Sequence, residues 1–361
     1  MSTPTMFPRL PENCSALYAD LMQKVVIRIA ESRGAFVSKT IKGRRYWYLQ
    51  TETISGRKQI YLGQESDALL TEIKVRKMAI ERYRELLAER RRLVAMLGVA
   101  GAHQEKGRVA RIIGKLSDAG LFEAGGVMVG SFAFACYGNM LGVKTSGELA
   151  RTEDIDFSVA RTIDVAFDRD MKGVLLDADP SLREPVQINP RIIPFELVTP
   201  DGFKVEFLTT RNSVAENAPV RIERFNVHAQ PLEFMDYLLE DAQSAAVLNG
   251  AGIPVTVPNP ARFAIHKLAV AQLRPVGMQA KIRKDMAQAA ALLDILTEDN
   301  PGALILAMES AFGRSDAFPH WVSHGMARLD HTLRERVTEV YGRNLPEITL
   351  DTHTGIFRVL S

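Results

Sequence analysis

The sequence predicts an α+β protein. Three observations lead there: runs rich in β-branched and aromatic residues between 35 and 64, a long charged amphipathic pattern from 66 to 97, and helix-like periodicity through the last hundred residues. Between them lies a stretch of short apolar runs and turn signals that reads as a mixed sheet with helices. Four segments follow: 1–65, an N-terminal helix and basic β-meander; 66–103, a long connecting helix; 104–258, the mixed sheet; and 259–361, a helical C-terminal part.

The 361 residues are 46% hydrophobic and 24% charged, enough for a sizeable core and two or three domains. No apolar run approaches the roughly 18 residues needed to span a bilayer. The N-terminus MSTPTMFPRLPENC lacks the charged-then-apolar layout of a signal peptide, so a cytoplasmic protein with no membrane partner is expected. Cys14 and Cys136 make no disulfide framework and read as small buried hydrophobes.

In chain order, residues 13 to 33 read as a helix with Asn13 as its cap and Gly34 ending it. Three strands follow, separated by the turn signals Lys42-Gly43 and Ser55-Gly56. Tyr46, Trp47 and Tyr48 interleave with Arg44, Arg45, Arg57 and Lys58, a mixture suited to stacking and phosphate contact in RNA, although a small sheet also needs aromatics for its own core. Net charge is only +2, yet 19 Lys and Arg face 8 Asp and Glu between Arg33 and Lys115. That basic front end fits a polyanionic partner or a solvated helix face. The long helix from Ser66 to about Leu97 is closed by Arg90, Arg91 and Arg92 on the side its dipole favours, and a shorter helix covers 104 to 119.

The segment LFEAGGVMVGSFAFACYGNMLGV places an apolar run before Gly130-Ser131 and a helix-compatible run, Phe132 to Leu141, directly after. Strand, small residues, then helix N-terminus offers backbone N–H groups to a phosphate. In TEDIDFSVA, Asp154 and Asp156 flank Ile155, so strand alternation points both carboxylates to one face. The stretch PFELVTPDGFKVEFLTT reads as a hairpin, 194–199 and 203–208, turning at Asp201-Gly202 and carrying Glu206 between Val205 and Phe207.

Gly125-Gly126, Gly130-Ser131, then Arg151-Thr152-x-Asp154-Ile155-Asp156 and an isolated acid on a later strand resemble the nucleotidyltransferase superfamily of DNA polymerase β. The layout is most similar to bacterial stand-alone nucleotidyltransferase-fold proteins, with a likeness to the nucleotidyltransferase toxins of abortive-infection systems. Lys267 and Arg283-Lys284-Asp285 match a lysine and a basic-basic-Asp triplet that recur on helices after the catalytic sheet of such proteins. The resemblance covers about residues 115 to 300. It implies a polymerase β-like mixed sheet and transfer of a nucleoside monophosphate from an NTP to an acceptor hydroxyl; the basic front end makes RNA, such as a tRNA end, the first expected acceptor and a protein side chain the second.

Within that resemblance, Asp154, Asp156 and Glu206 are the expected catalytic and metal-binding acids, with Mg²⁺ or Mn²⁺ as cofactor. Gly130, Ser131, Lys267 and Arg151 are the expected nucleotide contacts. Lys267 follows His266 on a helix that Asn259 caps and Pro260 starts, and reads either as a phosphate ligand or as a surface lysine. Asp285 reads as a structural partner of a neighbouring cation. Two departures stand out: an extra loop, 142–151, separates the Gly-Ser turn from the acid pair, and Asp164, Asp168 and Asp170 lie nearer to that pair than Glu206 does. An inactive nucleotide- or nucleic-acid-binding regulator on the same fold is the alternative.

Other motifs carry less. His320, His324 and His331 have helical spacings, but HWVSH lacks the glutamate of the metalloprotease motif. GGVMVG is neither a phosphate-binding kinase loop nor a dinucleotide fingerprint. Residues 300 to 341 read as terminal helices and GIFRVL as a last strand.

Overall fold

The computed structural model describes residues 7–27, 35–53, 56–145, 149, 152–159, 170–186, 193–213, 216–342, 347–351 and 356–360. Helix α1 (Asn13–Val25) buries Cys14, Tyr18, Leu21 and Val25 along one stripe. Its first turn starts earlier than the sequence predicts: Cys14 N–H bonds the Pro11 carbonyl at 2.8 Å, which makes Glu12 rather than Asn13 the cap residue. The helix stops at Val25, the last residue of its buried stripe, and Val26 and Ile27 after it are exposed; residues 28–34, with the expected end at Gly34, lie outside the described residues.

Strands β1 (Ala35–Ile41), β2 (Arg44–Thr53) and β3 (Gly56–Gln64) form the expected antiparallel meander. Lys42 and Gly43 both take positive φ, 48° and 77°, the conformation that joins two strands in a tight hairpin. The meander leads into α2 (Asp67–Val99), where Ser66 Oγ accepts the Leu69 N–H at 3.2 Å as an N-cap. Because α2 runs on to Val99, Arg90, Arg91 and Arg92 lie inside it, not in its last turn. Arg90 is buried and donates to the carbonyls of Ala251 and Gly252 at 2.8 and 2.7 Å. Leu93, Val94 and Leu97 pack against α1 and form a second, smaller core.

Next come α3 (Gly107–Asp118), β4 (Val127–Val129), α4 (Gly130–Met140), β5 (Asp154–Ser158), α5 (Met171–Ala178), β6 (Glu196–Val198), β7 (Lys204–Thr210), β8 (Val220–Ile222) and β9 (Val227–Leu232). The central sheet is mixed, in the order β4-β5-β7-β9-β8. Strands β5, β7 and β9 run parallel, β4 and β8 are antiparallel edges, and β6 folds back onto β7 across Asp201-Gly202. Helix α6 (Met235–Leu239) and the hairpin β10 (Gln243–Val247) with β11 (Ile253–Val257) lead to the helical part.

There, α7 (Pro260–Leu273) starts as expected, with Asn259 Oδ1 accepting from Ala261 and Arg262 N–H. Helix α7 packs beside α8 (Gln279–Asp299), followed by α9 (Pro301–Phe312), α10 (Phe318–Ala327), α11 (His331–Tyr341) and the hairpin β12 (Glu347–Asp351) with β13 (Ile356–Leu360). Phe157 from the sheet, Phe134 from α4 beside it, and Phe263, Leu293 and Phe318 from the C-terminal helices belong to one continuous core, so sheet and helices are locked as the two walls of whatever lies between them. Among the described residues, no helix is long and apolar enough to cross a membrane.

Candidate active site

Strand alternation does on β5 what the sequence predicts. Ile155 is buried in the core, and Asp154 and Asp156, half-buried, line a cavity of about 600 Å³. On the neighbouring parallel strand Glu206 pairs in register with Asp156, and it lines the same cavity between buried Val205 and Phe207. On the other side Val129 pairs with Asp156, so the chain leaves β4 beside that carboxylate and turns at Gly130-Ser131 into α4. Gly130 has φ +67°, and a Cβ there would collide with Asp156 Oδ2. Only glycine meets both demands. The first N–H groups of α4 have no intrahelical partners and carry the positive end of its dipole.

The opposite wall comes from α7 and α8: Lys267, Arg274, Lys281, Lys284 and Asp285. Lys267 Nζ donates to Asp285 Oδ1 at 2.6 Å, both side chains buried, and Arg274 Nε donates to Asp285 Oδ2. Lys267 is therefore not a surface lysine. Burial pushes the Asp285 carboxyl up, but Lys267 and Arg274 outweigh it and hold the group below the usual carboxylate range. Lys281 reaches across the cavity to Asp154, 3.4 Å from Oδ2.

The acids differ in state. Burial raises Asp154, yet the Thr152 hydroxyl bond and Lys281 bring it below its ordinary value. Burial and then the Asp154 charge push Asp156 up to about 7. Glu206 is pushed up to about 8 by burial, by Asp156, and by a shared hydrogen bond with Glu196, its cross-strand partner on β6. The cavity therefore gathers more negative charge on its sheet wall than that wall can compensate, with cations facing it.

Such a donor set, hard oxygens short of positive charge, suits a divalent cation like Mg²⁺. Among the described residues no three His, Cys, Asp or Glu side chains close into a ready-made cage, so waters and phosphate oxygens would fill out the coordination of an ion held here.

Gly130, Ser131, Asp154, Asp156, Glu206 and Lys267 thus share one cavity. Arg151, Asp164 and Asp168 lie outside the described residues. Asp170 caps α5, accepting the Gly173 N–H at 2.9 Å. Of the loop 142–151, Val143 bridges to Arg9 and the Leu149 carbonyl accepts from Gln288; the remainder lies outside the described residues apart from 142, 144 and 145. The His320 and His324 rings lie 4.2 Å apart, tilted by 45°, while His331 pairs with Glu335, and among the described residues these histidines join no cluster of three metal-ligating side chains. The sequence reading missed Lys281 and Glu196. For Lys281 a signal existed: 281, 284, 285 and 288 recur at one-turn spacing along a helix.

A family model described as Nucleotidyltransferase matches residues 107–313, from the first turn of α3 to the end of α9. No curated protein and no solved structure gives a match. The matched segment is more than half of the chain and carries both walls of the cavity, the acidic strands as well as the basic helices. The chain belongs to this nucleotidyltransferase family.

Proposed function

We propose that the family activity runs here as transfer of a nucleoside monophosphate from an NTP to an acceptor hydroxyl, with Mg²⁺ (or Mn²⁺) held by Asp154 and Asp156. The observation that carries this reading is the register of Asp156 with Glu206 on one face of the sheet, opposite a wall of lysines. Bound there, the ion supplies charge stabilisation at phosphorus and on the departing pyrophosphate.

The chain's own groups do the rest. Ser131 and the α4 N–H groups seat the phosphates, with Gly130 admitting them close to the backbone. Lys267 and, from the sequence pattern, Arg151 are phosphate contacts, and Lys281 and Lys284 on the cavity wall add positive charge where the leaving group gathers negative charge. Glu206, pushed up to about 8 in the empty site, gives up its own proton as a cation binds nearby, and as the carboxylate it accepts the proton of the acceptor hydroxyl or serves as a third metal ligand. The acceptor oxygen–phosphorus bond forms as the bond to pyrophosphate breaks. The basic front end makes RNA the proposed acceptor.

The test is incubation of the protein with each α-labelled NTP, Mg²⁺, and total cellular RNA and protein, beside Asp154→Ala/Asp156→Ala. Label moving onto RNA only with intact aspartates is the expected result. Nucleotide binding without any transfer would move the protein to the regulator reading.

A further inference from the structure

The aromatic residues of the basic meander divide between two faces. Trp47 is on the face turned to α2: its Nε1 donates to Glu65 at 2.9 Å and Lys77 Nζ lies 5.5 Å above its ring. Leu49, on the same face, is buried. This face supplies the module's own core.

The other face is different. An irregularity between Trp47 and Tyr48 brings Tyr61 of β3 opposite Tyr48, so Tyr46, Tyr48 and Tyr61 gather on one surface. Their rings lie 5.5 Å (Tyr48–Tyr61) and 6.3 Å (Tyr46–Tyr61) apart. Tyr61 is 57% exposed. Lys39 Nζ stands 5.1 Å from the Tyr48 ring and donates to Gln59 at 2.6 Å, and Gln59 donates on to Gln50 at 2.9 Å. Register puts Arg44 on this face too. The surface therefore offers ring faces, amide hydrogen-bonding groups and positive charge together.

We infer that this tyrosine face is a stacking platform for single-stranded nucleic acid. A protein-docking face of this size would be apolar at its centre and sparing of lysine; here each ring carries a hydroxyl and cations flank the cluster. Unpaired bases supply π-faces for the tyrosines and phosphates for Lys39 and Arg44. The surrounding charge agrees, with an excess of 11 positive charges between Arg33 and Lys115. The platform joins the first turn of α2, a helix of 33 residues and so about 50 Å long, whose far end is anchored in the second core. It is an arm that holds a strand, not a wall of the catalytic cavity. The inference deepens the RNA-acceptor reading and rests on it for its purpose, but its test is separate from catalysis.

The test is fluorescence anisotropy of the full-length chain with a labelled 20-nucleotide single-stranded RNA, the same DNA strand, and the DNA duplex. Single strands are expected to bind more tightly than duplex. Tyr48→Ala and Tyr61→Ala are each expected to weaken single-strand binding by roughly 5- to 100-fold, the range for a lost stacked base. Tyr48→Phe and Tyr61→Phe are expected to stay within about threefold, because stacking needs the ring and not the hydroxyl. Unchanged melting and unchanged emission from Trp47 and Trp321 show that the variants fold. Asp154→Ala/Asp156→Ala should bind the strand like wild type, so a dead transferase does not sink the platform. Equal affinity for duplex and single strand, or insensitivity to both alanine changes, would overturn it. So would self-association that the alanine changes abolish without any oligonucleotide binding, which would give the face to a second copy.

Discussion

Asp156 and Glu206 stand directly opposite one another on the parallel strands β5 and β7, and both carboxyls are pushed above their ordinary range, to about 7 and about 8. Two acids that share a wall in this way make the apo protein poorer in stability at alkaline pH and richer in affinity for cations. The molecule answers only in part. Lys281 leans on Asp154, and Lys267 is engaged by Asp285, so the full compensation has to arrive with substrate.

The first prediction is about pH. A carboxylic acid whose folded-state pKa is raised favours the folded state while protonated: its contribution is fully present below about pH 4 and is lost as pH rises through about 7. Metal-free Asp156→Asn should therefore melt a few degrees above wild type at pH 8, with the gap closing by pH 5. Added Mg²⁺ should raise the wild-type Tm more at pH 8 than at pH 6, since protons compete for the same oxygens. Calorimetric scans at three pH values, with EDTA and with Mg²⁺, check both statements.

The Gly130 position gives a second. Gly130→Ala forces a side chain into a left-handed backbone site and against Asp156 Oδ2, so transfer should fall by at least about 100-fold. Gly202→Ala is the control: φ there is +87°, but nothing lies within 4 Å of the added carbon. It should cost about 1 kcal/mol of stability and leave transfer near wild type. Comparing initial rates and urea midpoints of the two variants separates displacement of Asp156 from backbone strain.

Much of the site was legible because strands write their faces into the sequence every second residue. Asp154-Ile155-Asp156 and Val205-Glu206-Phe207 each announce an acid on one face and a core residue beside it, and the Asn259-Pro260 start fixes where α7 begins. What stayed hidden depends on register and on distance along the chain. The Asp154–Lys281 approach joins residues 127 positions apart, and the Glu196–Glu206 pairing depends on where β6 stops folding back. In the meander, a single irregularity beside Trp47 decides that Tyr61, not Leu62, lies opposite Tyr48. The local alternation of either strand does not contain that information.

The buried Lys267–Asp285–Arg274 group makes a third prediction. Asp285→Ala leaves a buried ammonium without its partner and should lower stability by about 3–5 kcal/mol, whereas Lys267→Met/Asp285→Leu should recover most of it while still weakening nucleotide binding. The Asp285 pKa is depressed, so its stabilisation is present above the unfolded-state value near 4 and fades as pH falls further. The stability gap between wild type and Asp285→Asn should accordingly shrink below about pH 4. Urea unfolding at pH 7 and pH 3 checks the two halves.

Lys281 separates a structural from a substrate role. Its side chain is 58% exposed and its approach to Asp154 is 3.4 Å, so as a surface ion pair it is worth at most about 1 kcal/mol. Lys281→Met should leave the melting temperature almost unchanged. If the lysine leaves Asp154 when an ion and a triphosphate arrive, and pairs with the phosphates instead, the same change should weaken binding of a fluorescent NTP in Mg²⁺ by about tenfold, with a smaller loss for the monophosphate. Without Mg²⁺ the effect should shrink, because the lysine then still serves Asp154. Titrations with the tri- and monophosphate, each with and without Mg²⁺, distinguish this exchange from a static pair, for which all four affinities would move together or not at all.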